Sequence, residues 1–424
     1  MTQTTLNIAI IGSGPSGCYT AQFLRKKWPM ADITIFEALP APYGLLRYGV
    51  ATDHQGTKAI SLQFDRLFER DNVRFAGNVT VGRDIALEKI TENFDIVVRA
   101  TGLEHDKIIS VAGDGTAPVI GAGALLKAVN GYPHPSLPVD EKGKLVPLGE
   151  NIALIGTGNV AMDVIRILGK SPEEFAGSDV DDERLKELNT QNIRNIHVLG
   201  RSSVNEAKFD YSMLKEVLSL SNINVSVKGI DTMDSCKNAQ LFFDCLKKQE
   251  ENESISTEGA VNINFYFGVV PQSLKRADST NLMQVEHSTN NIISKFNVDT
   301  VISAIGFTNA QESNCADFPP AAHIFKVGWL NRDGKGAIAE NRRDAKDVAE
   351  KIVQYVQSDN FFSATLGYDA VHPLIEGKVV TFDGWKKIDT HECTTALPMR
   401  CRKKVTDIAL MLSIAARTTI SAPA

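Results

Sequence analysis

Little in this chain of 424 residues is built for cross-linking or for a membrane. It has six cysteines, Cys18, Cys236, Cys245, Cys315, Cys393 and Cys401, and none falls in a Cys-x-x-Cys pair or at a zinc spacing. So sparing a use of cysteine excludes a disulfide scaffold and points to reduced thiols in a cytoplasmic setting. No apolar run reaches the roughly 18 residues that a membrane-spanning helix needs. Met1 to Asn7 are polar and lead into no long apolar stretch, so no secretory signal is expected. Basic residues are not in excess. The 45 Lys and Arg stand against 51 Asp and Glu, a net charge of −6, which argues against nucleic acid as a partner. Hydrophobic residues at 43% and charged residues at 23% describe an ordinary globular protein. The length suggests two or three domains.

What is present is organised around glycine. Leu6 to Ile11 form a short β-branched apolar run, the pattern of a strand buried on both faces. Gly12-Ser13-Gly14-Pro15-Ser16-Gly17 follow, and then Cys18 to Leu24 with helical spacing. Gly12 permits a tight turn, Gly14 lets backbone approach a pyrophosphate, and Gly17 lets the helix close on the strand. The helix N-terminus offers free N–H groups to phosphate oxygens. A second strand, Ile33 to Phe36, ends in Glu37, 20 residues beyond Gly17, where a carboxylate can accept from a ribose hydroxyl. The dinucleotide of this turn is NAD or FAD. The loop Pro40 to Val50, rich in Gly, Pro and aromatics, favours FAD. The apolar run Phe94 to Arg99 ends in Ala100-Thr101-Gly102, small residues that let a cofactor come close.

The pattern then repeats. Asn151 to Ile155 read as a strand, Gly156-Thr157-Gly158-Asn159-Val160-Ala161 as a GxGxxA turn, and Met162 to Leu168 as its helix. Two such units in one chain imply two dinucleotides. The second strand of this unit, Ile196 to Gly200, is followed by Arg201. An arginine at that tip favours the 2′-phosphate of NADP over NAD. Asp299 to Phe307 contain a strand ending in Ala304-Ile305-Gly306, the counterpart of Ala100-Thr101-Gly102. The acidic stretch between Ser171 and Asn192 reads as a solvated insert.

Nearly end to end, these residues resemble adrenodoxin-reductase-type ferredoxin–NADP reductases, which are glutathione-reductase-like flavoproteins. The resemblance is carried by Gly12–Gly17, by PAPYGLLRYGVATDH at Pro40–His54, and by Gly77–Asp84. It continues through GTGNVAMDVIRIL at Gly156–Leu168, Ser171–Glu174, Gly328-Trp329 to Ile338, Gly384–Asp389 and Lys404–Thr406. It implies that Glu37, Leu45 and Val81 contact FAD, and that Trp329 with Gly336, Ala337 and Ile338 lies at its isoalloxazine end. It implies that Thr157 to Val160 hold the NADP pyrophosphate. It further implies that His54 and Glu216 form a pair near flavin and nicotinamide. The sequence departs from the family at Ser202, in place of a second arginine, and at Met213, in place of a glutamate. Ser203–Lys208 lack the usual Gly-Pro start. Asn331 replaces a lysine, and Asp333-Gly334 replace Gly-Pro. NAD therefore stays as the alternative nucleotide.

The expected architecture is α/β, with two Rossmann-like dinucleotide-binding domains. The NAD(P) domain, residues 105–322, is inserted into an FAD domain of residues 1–104 and 323–424, with Pro319-Pro320 in a crossover loop. The expected function is hydride transfer from NADPH to flavin N5, then single electrons to a ferredoxin-type iron–sulfur protein. No internal acceptor is visible in the sequence, neither a CxxC dithiol nor a cysteine cluster. Two alternatives are an NAD(P)H-dependent flavin oxidase or monooxygenase and a non-catalytic binding protein on this scaffold. The basic run Arg400, Arg402, Lys403 and Lys404 is not assigned as a docking patch.

Overall fold

The computed structural model describes residues 6–230, 236–251, 260–277, 280–287, 292–308, 321–358, 361, 363 and 365–417. Cys315 and the Pro319-Pro320 crossover lie outside the described residues. Contacts divide the chain into two units, Met1–Glu104 with Phe307–Ala424, and His105–Gly306.

The first unit is built on a five-stranded parallel sheet. Its strands are β1 (Asn7–Ile11), β2 (Asp32–Glu37), β3 (Val73–Gly77) and β4 (Ile96–Arg99), with helix α1 (Pro15–Lys27) after β1. The second unit follows with β5 (Val119–Gly121), β6 (Asn151–Ile155), α2 (Asn159–Gly169), β7 (Asn195–Gly200), α3 (Tyr211–Leu218), β8 (Ile223–Lys228) and β9 (Val261–Phe267). Then come β10 (Val269–Ala277), β11 (Thr280–His287), β12 (Ile293–Asn297) and β13 (Thr300–Ser303). The chain returns to the first unit with β14 (Ile324–Lys326), α4 (Ile338–Val356) and α5 (Phe382–Thr394).

The first sheet has the order β14-β4-β1-β2-β3. Period-two alternation sorts its side chains onto two faces. Ile8, Ile10, Ile33, Ile35, Ile96 and Val98 pack with Leu24 of α1 and with Ala345, Val348 and Ile352 of α4. Ala9, Ile11, Phe36 and Val97 pack on the other side with Leu87, Ile90 and Phe94. Both faces are covered, as a parallel sheet requires, and the strands accordingly read as continuous apolar runs.

The second unit has a six-stranded parallel sheet, β5-β13-β6-β7-β9-β8, and a separate antiparallel sheet, β10-β11-β12. The antiparallel sheet is not foreseen from the sequence. It is there to cover one face: Leu274, Met283 and Val285 pack on Ala153, Ile155, Leu199 and Val301. The stretch 171–192 also differs from the solvated insert expected. Phe175, Ser178, Asp179, Val180 and Leu188 are buried, and Asp181 caps the helix Asp182–Glu187 by accepting from Arg184 N at 3.1 Å. Its acidic residues alternate with apolar anchors, so only part of it faces water. Among the described residues, no helix is long and apolar enough to cross a membrane.

One side chain within this packing sets a pH dependence. His197 of β7 is buried, stacked on Phe296 with ring centroids 4.0 Å apart, and its Nδ1 lies 3.4 Å from the Tyr266 hydroxyl. Burial, with the nearby Lys228 ammonium, pushes its pKa down to about 4. The folded state thus binds fewer protons than the unfolded chain. The stability gained from a neutral imidazole is complete above the unfolded pKa near 6.5 and is lost as pH falls toward 4. The loss amounts to about 3 kcal/mol. Denaturant unfolding between those pH values should show this slope in the wild type and a shallower one in His197→Gln. Equal slopes would show that His197 is not the titrating group.

Candidate functional site

The two glycine turns share one construction. Gly12 has φ +106° and Gly156 has φ +121°. Gly12 N donates to Phe36 O at 2.8 Å, and Gly156 N donates to Leu199 O at 2.9 Å. On the opposite side Ala100 N donates to Ile11 O, and Ala304 N to Ile155 O, each at 2.8 Å. A Cβ on Gly12 would stand 2.5 Å from Ala100 O, and one on Gly156 would stand 2.4 Å from Ala304 O. The small-residue strand ends read from the sequence are therefore what closes each turn from the side. Gly17 packs against the turn itself, with only 2.1 Å between its missing Cβ and Gly12 O. Its counterpart Ala161 is accommodated, fully buried, in the second turn.

Gly14 and Gly158 behave differently. Each caps the N-terminus of its helix, α1 or α2, and a Cβ on either would meet nothing within 4 Å. The space over these two residues is open, at a point where unpaired helix N–H groups and the dipole favour an anion. A dinucleotide pyrophosphate fits both turns on this ground. Pro15 occupies the first turn of α1, where a missing N–H costs nothing.

At the first turn Glu37 and the 40–54 loop meet Ser13. Glu37, at the tip of β2, accepts from Ser13 N at 3.0 Å and Ser13 Oγ at 2.5 Å on one oxygen, and from Leu39 N at 3.1 Å on the other. Burial pushes its carboxyl up against the pull of these donors. A carboxylate has about four acceptor sites, which leaves capacity for a ribose hydroxyl. Ser13 Oγ also accepts from Tyr43 N at 3.1 Å, which ties the 40–54 loop to the turn. Leu45 begins the short helix Leu45–Tyr48 of that loop, and His54 precedes the next, Gln55–Lys58. Val81 makes an isolated bridge with Ile85 and lies against the Ile11–Phe36 cluster.

The C-terminal motif reaches the same turn. Gly328 is pressed on Ser16, with 2.1 Å between its missing Cβ and Ser16 Oγ. Trp329 follows it, with its ring 4.9 Å from that of Phe307 and its Nε1 donating to Gly336 O at 2.8 Å. Ala337 N donates to Glu340 at 3.0 Å, and Ile338 opens α4 and packs on the core. Sequence reasoning missed the residue that organises this segment. Asp344 of α4 is buried and accepts from Gly328 N at 2.5 Å and from Asn331 Nδ2 at 2.8 Å. Asn331, a departure from the family pattern, is thus engaged within the turn.

A second missed element lies beneath the 40–54 loop. Arg47 and Glu392 of α5 are both buried, and Arg47 Nη2 donates to the two carboxylate oxygens at 2.6 and 2.7 Å. Val405 N and Arg402 Nη1 complete the carboxylate at 2.9 and 3.1 Å. The Arg47 guanidinium also sits over the Tyr48 and Trp385 rings, 4.9 and 4.8 Å from their centroids. The basic run 400–404 is consequently not one solvated patch. Arg402 is bound to Asp389 and Glu392, and Lys404 is buried with its ammonium 5.9 Å from the Tyr48 ring.

In the second unit, Thr157 to Val160 form the turn and the first residues of α2, and Arg201 is exposed just past β7. Glu216 of α3 is half-exposed and accepts from Arg166 Nη1 at 2.6 Å. The buried Arg166 also donates to Asp163 at 2.7 Å, so it links α2 to α3. His54 lies in the first unit and Glu216 in the second.

Comparison with known proteins agrees with this geometry. Residues 10–62 match the family model described as an NAD(P)-binding Rossmann-like domain. The chain is 38% identical over 430 residues to cindoxin reductase of Citrobacter braakii, an alignment covering 97% of this chain and 92% of that protein. It is 26% identical to the NADPH-ferredoxin reductase FprA of Mycobacterium tuberculosis over 96% of this chain and 98% of that one. The structure of Mycobacterium tuberculosis FprA in complex with NADPH superposes with a TM-score of 0.84 at 25% identity, over 97% of this chain and 99% of that chain. The likeness runs the full length of both units, and the chain belongs to the adrenodoxin-reductase-type ferredoxin–NADP reductase family of flavoproteins.

Proposed function

We propose that this protein is an FAD-dependent NADPH:ferredoxin oxidoreductase of the cytoplasm. The observation that carries the reading is the pair of matched glycine turns, each with an open helix N-terminus, in a chain related along its length to NADPH-ferredoxin reductases. Met1–Glu104 with Phe307–Ala424 is the FAD unit in this reading, and His105–Gly306 the nicotinamide unit.

Each residue then has a task. Gly14, Pro15, Ser16 and the α1 N-terminus hold the FAD pyrophosphate, and Glu37 accepts from its ribose. Leu45, Val81 and Gly336 to Ile338 shape the flavin pocket. Trp329, pinned through Gly336 O, gives that pocket a fixed wall and keeps water out. Thr157 to Val160 receive the NADPH pyrophosphate, and Arg201 the 2′-phosphate. His54 and Glu216 are the polar residues assigned to the reacting rings. Glu216 is steadied for that role by Arg166. When bound, FAD accepts hydride from the nicotinamide and yields electrons singly to an external iron–sulfur protein.

Anaerobic rapid mixing tests the reading. NADPH should bleach the flavin at lower concentration than NADH, and added ferredoxin should restore the colour. If neither nucleotide bleaches it, the proposal is wrong. If oxygen reoxidises the reduced protein far faster than ferredoxin does, the protein is an oxidase instead.

A further inference from the structure

We infer that Lys208 is a second phosphate-binding cation of the nicotinamide unit, acting on the pyrophosphate and not on the 2′-phosphate; this rests on the NADPH reading above. Lys208 N donates to Thr157 O at 2.9 Å, and one parallel bridge pairs Lys208 with Gly158. The residue is therefore anchored by its backbone to the middle of the glycine turn. It is exposed, with a flexible stem that reaches roughly 6 Å from its own Cα. The neighbouring space over Gly158 is the open one, where a Cβ would meet nothing within 4 Å.

The same segment brings an anion to the turn. Asp210 N donates to Asn159 Oδ1 at 2.8 Å, and Asn159 Nδ2 donates to Asp210 Oδ2 at 2.7 Å. This reciprocal pair fixes the start of α2 but places a carboxylate beside the phosphate position. A cation at Lys208 offsets that charge. Arg201 follows β7 directly, at the strand tip suited to the 2′-phosphate, whereas Lys208 is bonded to the glycine turn itself. The two cations thus divide the labour. Lys208 strengthens NADP and NAD alike, and Arg201 tells them apart.

The test is calorimetric titration of the FAD-loaded protein with NADP⁺ and with NAD⁺ at several salt concentrations. Lys208→Gln should weaken both nucleotides by the same factor, about 10-fold, and should lower the salt dependence of each. Lys208→Arg should restore both. Arg201→Gln should weaken NADP⁺ alone. Unchanged binding of both nucleotides in Lys208→Gln overturns the inference. So does weakening of NADP⁺ alone, which would move this cation to the 2′-phosphate. If the wild type binds neither nucleotide, the NADPH reading itself falls, and the inference with it.

Discussion

A Gly12→Val chain should purify without flavin colour and melt well below the wild type, whereas Gly14→Ala should lose the colour with its fold intact. The difference follows from what surrounds each residue. Gly12 has φ +106°, and its substituent would meet Ala100 O at 2.5 Å and Ala100 C at 2.8 Å. Those are backbone atoms just past the end of β4, held in place by Ala100 N donating to Ile11 O, and they cannot swing aside. Backbone strain alone costs about 1–3 kcal/mol, and the overlap adds to it. Displacement of the turn should weaken FAD by at least about 100-fold, the equivalent of roughly 3 kcal/mol. Gly14 has ordinary extended dihedrals, φ −64° and ψ 175°, and room for a Cβ. That room is the space proposed for the pyrophosphate, so the added methyl acts on the ligand alone. Flavin absorbance per chain and the melting temperature of the FAD-free proteins separate the two effects. A Gly14→Ala protein that keeps FAD at wild-type affinity would refute the placement of the pyrophosphate.

Glu392→Ala should cost about 3–5 kcal/mol of unfolding free energy, because it leaves the Arg47 guanidinium buried without its carboxylate. Val405 N and Arg402 lose their acceptor at the same time. Glu392→Gln should cost less, since an amide oxygen still accepts. The double variant Arg47→Met with Glu392→Leu should recover most of the loss by replacing the pair with apolar volume. Denaturant unfolding of the three proteins, with flavin retention as a second readout, checks this. A single Glu392→Ala that costs under about 1 kcal/mol would show the pair to be solvent-screened and the 40–54 loop to be held by other contacts.

The glycine turns were legible because their causes are local. A strand, a turn and a helix follow one another within about 30 residues, and each glycine answers to atoms in the same unit of chain. Ala100 and Ala304 were read as permissive strand ends. The structure adds that their carbonyls are the surfaces against which Gly12 and Gly156 must lack a side chain. Arg47 and Glu392 are 345 positions apart, so no spacing rule could have joined them. Asp344 was hidden in the same way, as one acid among several on a charged helix. The run 400–404 looked uniform in sequence, yet Arg402 and Lys404 turn inward because a buried carboxylate and an aromatic ring lie beneath them.

From residue order alone came two dinucleotide turns, their helices, the acid at Glu37 and the family, since these depend on the short-range geometry of glycine and on strand periodicity. Tertiary structure alone decided which charges are buried, which carboxylate steadies which loop, and that Lys208 stands at the second turn. Those outcomes depend on segments distant in sequence meeting in space, where desolvation makes a charge find a partner.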